Sequence, residues 1–342
     1  MMGVLLSACW LMAGCSVIDD DLSACSPKEE NFGLDYQLRL VTNMTTELKT
    51  QLTTMTELSV AGALESHLKN IFTDYAHDVD LSFYDTDSER ERLKHDTPIM
   101  NANQKSYTLT LPMRQYLHLA VANIADNDVI GLTGDAFSHT SMLKQADPTV
   151  SDGASVGILP SHTTGLFTAR QPMEVLEGVD QTFNVHLYMA NSAATLVLDP
   201  KGQTYNDLKV YATGFAEAFY ISDSTYVYPD AGPLIKADKV ETGNELLCYC
   251  SVNFPSRNTA PASARRRAGA NPTLWQYKIY LTKTDGKVTE TVLDIDEPLK
   301  AGDLKVIKGE LDSDGAVRPY NSAIGVSVTL NWNSGGEYET PL

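Results

Sequence analysis

The string most suggestive of chemistry is GASVG at residues 153–157, which matches G-x-S-x-G with Ser155 at its centre. A nucleophile elbow needs a strand before the serine and a helix after it, because that sharp turn lifts the hydroxyl beside the helix N-terminus. Here QADPTVSD precedes and ILPSHTTG, with Pro160, follows. Ser155 therefore reads as part of a Gly/Ser loop. The seven histidines are scattered, with no H-E-x-x-H or H-x-H pair, so zinc chemistry has no ligand set. His118 and His186 fall inside alternating segments, where they are expected to face water or bond locally. The acidic runs DTDSERE and DSDG lack the ligand spacing and closing glutamate of an EF-hand loop, and Asp314-Gly315 reads as a hairpin turn. Glycine-rich phosphate loops are absent. These residues predict no catalytic centre, no metal site and no cofactor, and the chain is read as a non-enzyme.

Cysteine is the remaining reactive side chain. In LLCYCSVNF, alternation puts Leu246, Cys248, Cys250, Val252 and Phe254 on one strand face, where a thiol serves as a small core hydrophobe. The first fourteen residues, MMGVLLSACWLMAG, carry no charge and end in small residues directly before Cys15. Their apolar run, Val4 to Ala13, is too short for the roughly 20 residues of a spanning helix but suits a signal-peptide core. LMAGC resembles a bacterial lipobox, in which cleavage precedes a cysteine whose thiol carries diacylglycerol. Cys15 is thus the expected lipidation site and mature first residue, residues 1–14 being the signal peptide. Each buried methylene adds about 0.8 kcal/mol, so several acyl chains on one cysteine anchor a protein without a transmembrane helix. Removing Cys9 and Cys15 leaves Cys25, Cys248 and Cys250, an odd number that excludes a complete disulfide framework.

The bulk properties narrow the partners. A chain of 342 residues that is 43% hydrophobic can bury a substantial core, and its length suggests two domains. The formal net charge of -18 opposes binding to phosphate backbones, so nucleic acid is not an expected partner. Residues 15–31, SVIDDDLSACSPKEEN after the cysteine, form an acidic polar spacer whose Asp19, Asp20 and Asp21 resemble a surface-export signal of Bacteroidetes lipoproteins.

The elements beyond the spacer are mostly strands. LDYQLRLV is one; then Leu64, Leu68, Ile71, Phe72 and Tyr75 fall at helical spacing and predict a helix over about 57–76 that packs on a sheet. VDLSFYDT, SYTLTLPM and YLHLAVANI follow as short strands. Residues 125–164, rich in Asp, Gly, Ser, Thr and Pro, read mainly as loops with at most short elements in DAFSHTSMLKQ. Phe183, Val185, Leu187 and Met189 alternate before ANSAA, and a domain boundary is expected near Ala190. This divides the chain into domains at 32–190 and 191–342. The second half repeats the style in LKVYATGF, AFYIS, ELLCYCSVNF, LWQYKIYLT and KVTETVLDI. SRNTAPASARRRAGAN, residues 256–271, is unpatterned and reads as a mobile loop. Finally Ile324, Val326, Val328, Leu330 and Trp332 alternate without exception against small or polar residues, a strong half-buried strand signal. This strand is either the last core strand of its domain or a donor of edge hydrogen bonds and alternate side chains to a neighbouring subunit.

CSVIDDDLSAC at residues 15–25 resembles the mature start of the FimB-type fimbrial anchor lipoproteins of Bacteroidetes. The similarity continues through VDLSFYDT, LTLPMRQYLHLAVANI and FNVHLYMANSAATLVLD. It implies a mainly β fold of two transthyretin-like antiparallel β-sandwich domains, with one helix in the N-terminal domain. It also implies a place at the cell outer membrane, in the fimbriae called type V pili. There such a subunit holds the fibre and accompanies a fimbrial shaft subunit as partner. Shaft fimbrillins of that system lose an N-terminal strand and accept a donor strand; an anchor keeps its N-terminus, leaving Ile324, Val326, Val328, Leu330 and Trp332 as the expected partner-binding residues. The alternative is a surface lipoprotein that captures glycan or host protein through its sandwich loops.

Overall fold

The computed structural model describes residues 28–39, 42–73, 76–87, 92–100, 106–134, 141–145, 157–229, 232–259 and 272–333. The first half holds β1 (Glu29–Arg39), α1 (Thr42–Gln51), α2 (Met55–Ile71), β2 (Val79–Asp85), β3 (Arg92–Asp96), β4 (Ser106–Pro112), β5 (Gln115–Ala122), β6 (Ile130–Gly134), β7 (Ser141–Gln145), β8 (Ile158–Pro160), β9 (Phe167–Glu174) and β10 (Gln181–Met189). The second holds β11 (Ser192–Asp199), β12 (Tyr205–Thr213), β13 (Ala218–Tyr220), β14 (Thr225–Val227), β15 (Leu234–Lys236), β16 (Asp238–Val240), β17 (Leu247–Asn253), β18 (Trp275–Lys283), β19 (Lys287–Ile295), β20 (Leu304–Leu311), β21 (Val317–Pro319) and β22 (Gly325–Asn333).

The chain is mainly β, as expected, and antiparallel pairing dominates. Three pairs are parallel, however: β1 with β10, β11 with β20, and β15 with β8. Two helices are present among the described residues where one was expected. Thr54 caps α2 through a capping box with Glu57, and α2 stops at Ile71, so Phe72 lies past its end while Tyr75 lies outside the described residues. The sequence signal for α1 is faint because its apolar residues are few in a threonine-rich run, Leu48 being buried in the helix and Leu52 just past its end.

One seven-stranded sheet, in the order β3-β2-β5-β9-β10-β1-β4, curls on itself. Phe32 on β1 and Phe83 on β2 have ring centroids 6.0 Å apart although three strands lie between them in the sheet. Four strand spacings would separate them by about 19 Å if the sheet were flat. The Tyr107 hydroxyl on β4 donates to the Asp96 carboxylate on β3, so the two edges face each other across a seam.

A five-stranded sheet (β16-β17-β11-β20-β21) and a six-stranded sheet (β22-β19-β18-β12-β15-β8) form the second sandwich. Leu196, Leu198, Tyr249 and Ile307 from the first meet Val210, Trp275, Ile279 and Leu293 from the second in its core. The opposite face of the five-stranded sheet is buried too. There Cys248, Cys250, Val252, Leu304 and Val306 share one core with Leu48, Leu52, Leu64 and Leu68 of the helices and with the interior of the curled sheet.

The expected change of unit near Ala190 falls between β10 and β11, yet strands pair across it. The loop-like stretch 125–164 contributes β6, β7 and β8; β7 pairs with β13 and β8 with β15. These strands are short and flanked by Gly, Ser and Pro; β7 and β8 depend on partners in the second half, and β6 pairs with β7. The resulting four-stranded sheet, β14-β13-β7-β6, lies on Tyr84, Leu119 and Val121 of the curled sheet.

Candidate functional site

The terminal strand β22 is nine residues long and is the edge of the six-stranded sheet. It pairs antiparallel with β19, Val326 opposite Leu293 and Val328 opposite Thr291. Residues opposite one another share a face, and Leu293 and Thr291 are buried in the sandwich core. Val326 and Val328 are therefore on the core side of the sheet. They are nonetheless 44% and 43% exposed, as is Leu330 at 44%, while Ile324, which leads into the strand, is buried at 9%.

The cause is a stagger between the two sheets. The β20–β21 hairpin covers β19: Val317 donates its N–H to Thr291 Oγ1 at 3.1 Å, and Thr289 Oγ1 donates to the Asp314 carbonyl at 2.8 Å. Asp314-Gly315 lies in the turn of that hairpin, as expected, with Gly315 at φ +77°. The five-stranded sheet then ends at β21, and β22 overhangs it. The register also shifts: Thr329 is opposite Glu290 but Trp332 is opposite Val288, so three steps on β22 match two on β19. This bulge interrupts the strict alternation before Trp332, whose side chain, like that of every residue from 331 on, is outside the described set.

Among the described residues, the other seven strands at the ends of the sheets are protected. β8, β14, β16 and β21 have three residues each, with Pro160 in β8 and Pro319 in β21. Short strands and prolines discourage edge pairing. β3 carries Arg92, Lys94 and Asp96, β4 is tied across the seam to β3, and β6 has five residues with glycine at two of them. The first half of β20 would offer another edge, but α1 closes it. Leu304 donates its N–H to Glu47 at 2.8 Å, Gln51 donates to the Leu304 carbonyl at 3.0 Å, and Val306 donates to Gln51 at 2.7 Å. Two side chains on one helical turn thus replace a neighbouring strand. That signal, Glu47 and Gln51 at i, i+4, was invisible without the tertiary placement of β20.

The remaining candidates are placed as follows. Cys15, Cys25 and Ser155 lie outside the described residues. Cys248 and Cys250 are buried free thiols, and burial pushes both up, Cys250 to about 12. At that pKa they are inert core residues. His118 does not face water: it is fully buried, stacked on Phe83, within 3.1 Å of the Tyr36 hydroxyl and 3.2 Å of the Ser82 carbonyl. Burial depresses its pKa to about 4. His162, also buried, lies 2.8 Å from the Asn191 carboxamide nitrogen, and burial lowers its pKa to about 3. Among the described residues no group of three or more His, Cys, Asp or Glu could hold a metal ion, and no helix is long and apolar enough to cross a membrane.

The sequence matches a family model described as fimbrillin-A associated anchor proteins Mfa1 and Mfa2 over residues 47–334. No curated protein matches it. Among solved structures, a candidate adhesin from Bacteroides ovatus is similar with a TM-score of 0.51 at 12% identity, covering 93% of this chain and 100% of that one. Another candidate adhesin, from Bacteroides thetaiotaomicron, gives 0.50 at 9% identity, covering 90% and 99%. The fimbrial anchor protein Mfa2 from Porphyromonas gingivalis gives 0.43 at 11% identity, covering 89% and 100%. At these identities the first two similarities speak for the fold.

Proposed function

Because the chain belongs to the family of fimbrillin-A associated anchor proteins, we propose that it is the anchor or an accessory subunit of a cell-surface fimbria, tethered to the outer membrane through lipid on Cys15. It joins the shaft by β-strand addition at β22 and works as a structural part, not as an enzyme. The observation that carries this reading is the edge of β22, free among the described residues: nine residues with no charge and no proline, with Val326 and Val328 on the core side left open to solvent. Long uncharged edges are what soluble monomers avoid. An assembly subunit keeps one because main-chain hydrogen bonds supply affinity and alternate pockets supply specificity.

The N-terminal strand supports the anchor role. β1 is held between β10 and β4, with Phe32, Leu34 and Tyr36 buried, so the position is filled by the chain's own strand. A lipid on Cys15 would sit fourteen residues ahead of β1, and an extended spacer of that length reaches about 45 Å. That is ample distance to lift the folded part from a bilayer surface.

Two experiments test the proposal. Deleting the residues after Ile324 should abolish co-purification of the shaft subunit while far-UV circular dichroism retains the β spectrum; undiminished capture would reject β22 as the contact. Metabolic labelling with a fatty acid should mark the natural protein and not Cys15→Ala, and equal labelling of both would remove Cys15 as the anchor.

A further inference from the structure

The turn between β9 and β10 carries two large apolar side chains into solvent, Leu176 at 43% and Val179 at 46% exposure. It lies where the chain from Cys15 enters the fold. β1 runs parallel to β10, with Phe32 opposite Gln181, so both strands start at the same end of the curled sheet. Lys28, the first described residue, pairs with Glu177 of that turn at 2.6 Å, and its carbonyl accepts the Met113 N–H at 3.3 Å. We infer that this turn is a lipid-contacting tip, which sets Leu176 and Val179 into the net-neutral surface of the bilayer that holds the anchor. The inference depends on the reading of Cys15 as the lipid anchor and adds which end of the molecule faces the lipid.

The tip is braced from within. The Gln181 side chain accepts the Leu176 N–H at 2.8 Å and donates to the Glu174 carbonyl at 3.1 Å. Buried Val175 donates its N–H to the Arg114 carbonyl at 3.0 Å, which fastens the base of the turn to the connection between β4 and β5. Gly178 reverses the chain at φ +63°. Little of the turn is left to order, so a contact made there keeps most of its gain. Thirteen residue steps lead from Cys15 to Lys28, at most about 45 Å. That is the greatest separation the spacer allows and not a distance it imposes, and tethering within it presents the tip to the lipid at an effective concentration on the order of millimolar.

Area and charge select the occupant. A stable protein interface takes roughly 800 Å² from each partner, and two half-exposed side chains supply far less. A lipid surface needs no matching shape and admits small apolar groups at its headgroup boundary. The charges of this end choose the lipid. Lys28 answers Glu177 and Arg114 is taken by Asp85, while Glu29, Glu174 and Asp180 stand exposed and leave the end acidic. Anionic headgroups are therefore repelled, and net-neutral ones fit.

The test holds the mature chain by its front end on phosphatidylcholine vesicles, using Cys15→Ala with a hexahistidine tag ahead of it and a nickel-chelating lipid. Brominated phosphatidylcholine should remove about half of the fluorescence added by Leu176→Trp or Val179→Trp, as contact at the headgroup boundary requires. It should remove none of that added by Tyr320→Trp, which is exposed in the second half. Combining Leu176→Trp with Val179→Asp should restore the lost fluorescence, because a carboxylate resists leaving water. Replacing part of the phosphatidylcholine with phosphatidylglycerol should restore it too, and thermal unfolding of each variant reports its fold. Equal quenching at the three positions, or none at 176 and 179, overturns the tip. Nickel and not an acyl chain holds the protein here, so the two readings fail separately. Fatty-acid labelling that spared Cys15 would remove the anchor and leave the tip, whereas acylated Cys15 with unquenched added tryptophans would keep the anchor and remove the tip.

Discussion

Two imidazoles hold the interior of the first half without carrying chemistry. His118 links β5 to Tyr36 of β1 and to the Ser82 carbonyl of β2, and His162 joins the Asn191 carboxamide. Burial keeps both neutral by lowering their pKa values to about 4 and about 3. A folded pKa below the ordinary value near 6.5 contributes stability that is complete above pH 6.5 and is lost as pH falls toward the folded value. In that window the unfolded chain binds the extra proton, so each histidine costs about 1.4 kcal/mol per pH unit. Urea unfolding of His118→Gln should therefore show a smaller loss of stability between pH 7 and pH 5 than the natural protein, by about 2 kcal/mol. An unchanged difference would mean that His118 is not the titrating group.

The helices act as elements that complete sheets. Gln51 and Glu47 occupy the edge of β20, and the Glu57 carboxylate accepts from the Thr53 and Thr54 N–H groups and from Lys308 Nζ on β20. Partial burial alone would raise the Glu57 pKa, but the hydrogen bonds from Thr54 and Lys308 outweigh it and hold it at about 2. One carboxylate thus caps α2 and fastens it to the second half. Glu57→Ala should lower unfolding stability by about 2 to 3 kcal/mol, since it removes a cap and leaves Lys308 half-buried without its partner. Chemical denaturation checks this, and a loss under 0.5 kcal/mol would reduce the contact to a surface pair. Gly309 belongs to the same corner: a Cβ there would meet the Arg318 carbonyl oxygen at 2.6 Å, so β21 can lie on β20 only because the position is glycine.

The whole molecule is bound by a core that ignores the midpoint of the chain. Leu64 and Leu68 of α2, Phe32 and Phe83 of the curled sheet, and Cys248, Val252 and Leu304 of the five-stranded sheet belong to one continuous cluster. Together with the pairing of β7 with β13 and β8 with β15, this couples the two halves. Calorimetric unfolding should show one transition, with van't Hoff and calorimetric enthalpies in agreement. Two resolved peaks would show that 32–190 and 191–342 unfold independently.

Local pattern carried much of this protein into view. Period-two alternation located β2, β4, β5, β10, β12, β17, β18 and β19, because each of these strands buries at least one face and its own side chains record it; it located β22 as well, although the described residues of that strand are exposed. Leu64, Leu68 and Ile71 recorded α2 in the same way. The uncharged run from Ile324 onward was legible as a strand with two possible uses. What it could not contain was the exposure of Val326 and Val328, which depends on where the facing sheet stops. That ending is set by Pro319 and by the Val317–Thr291 bond, partners distant in the chain. The short strand β8 and the helix α1 were hidden for the same reason: β8 pairs with β15 and α1 bonds to β20, partners in the other half that only the folded chain brings within reach, while β7 falls in the stretch read as holding at most short elements.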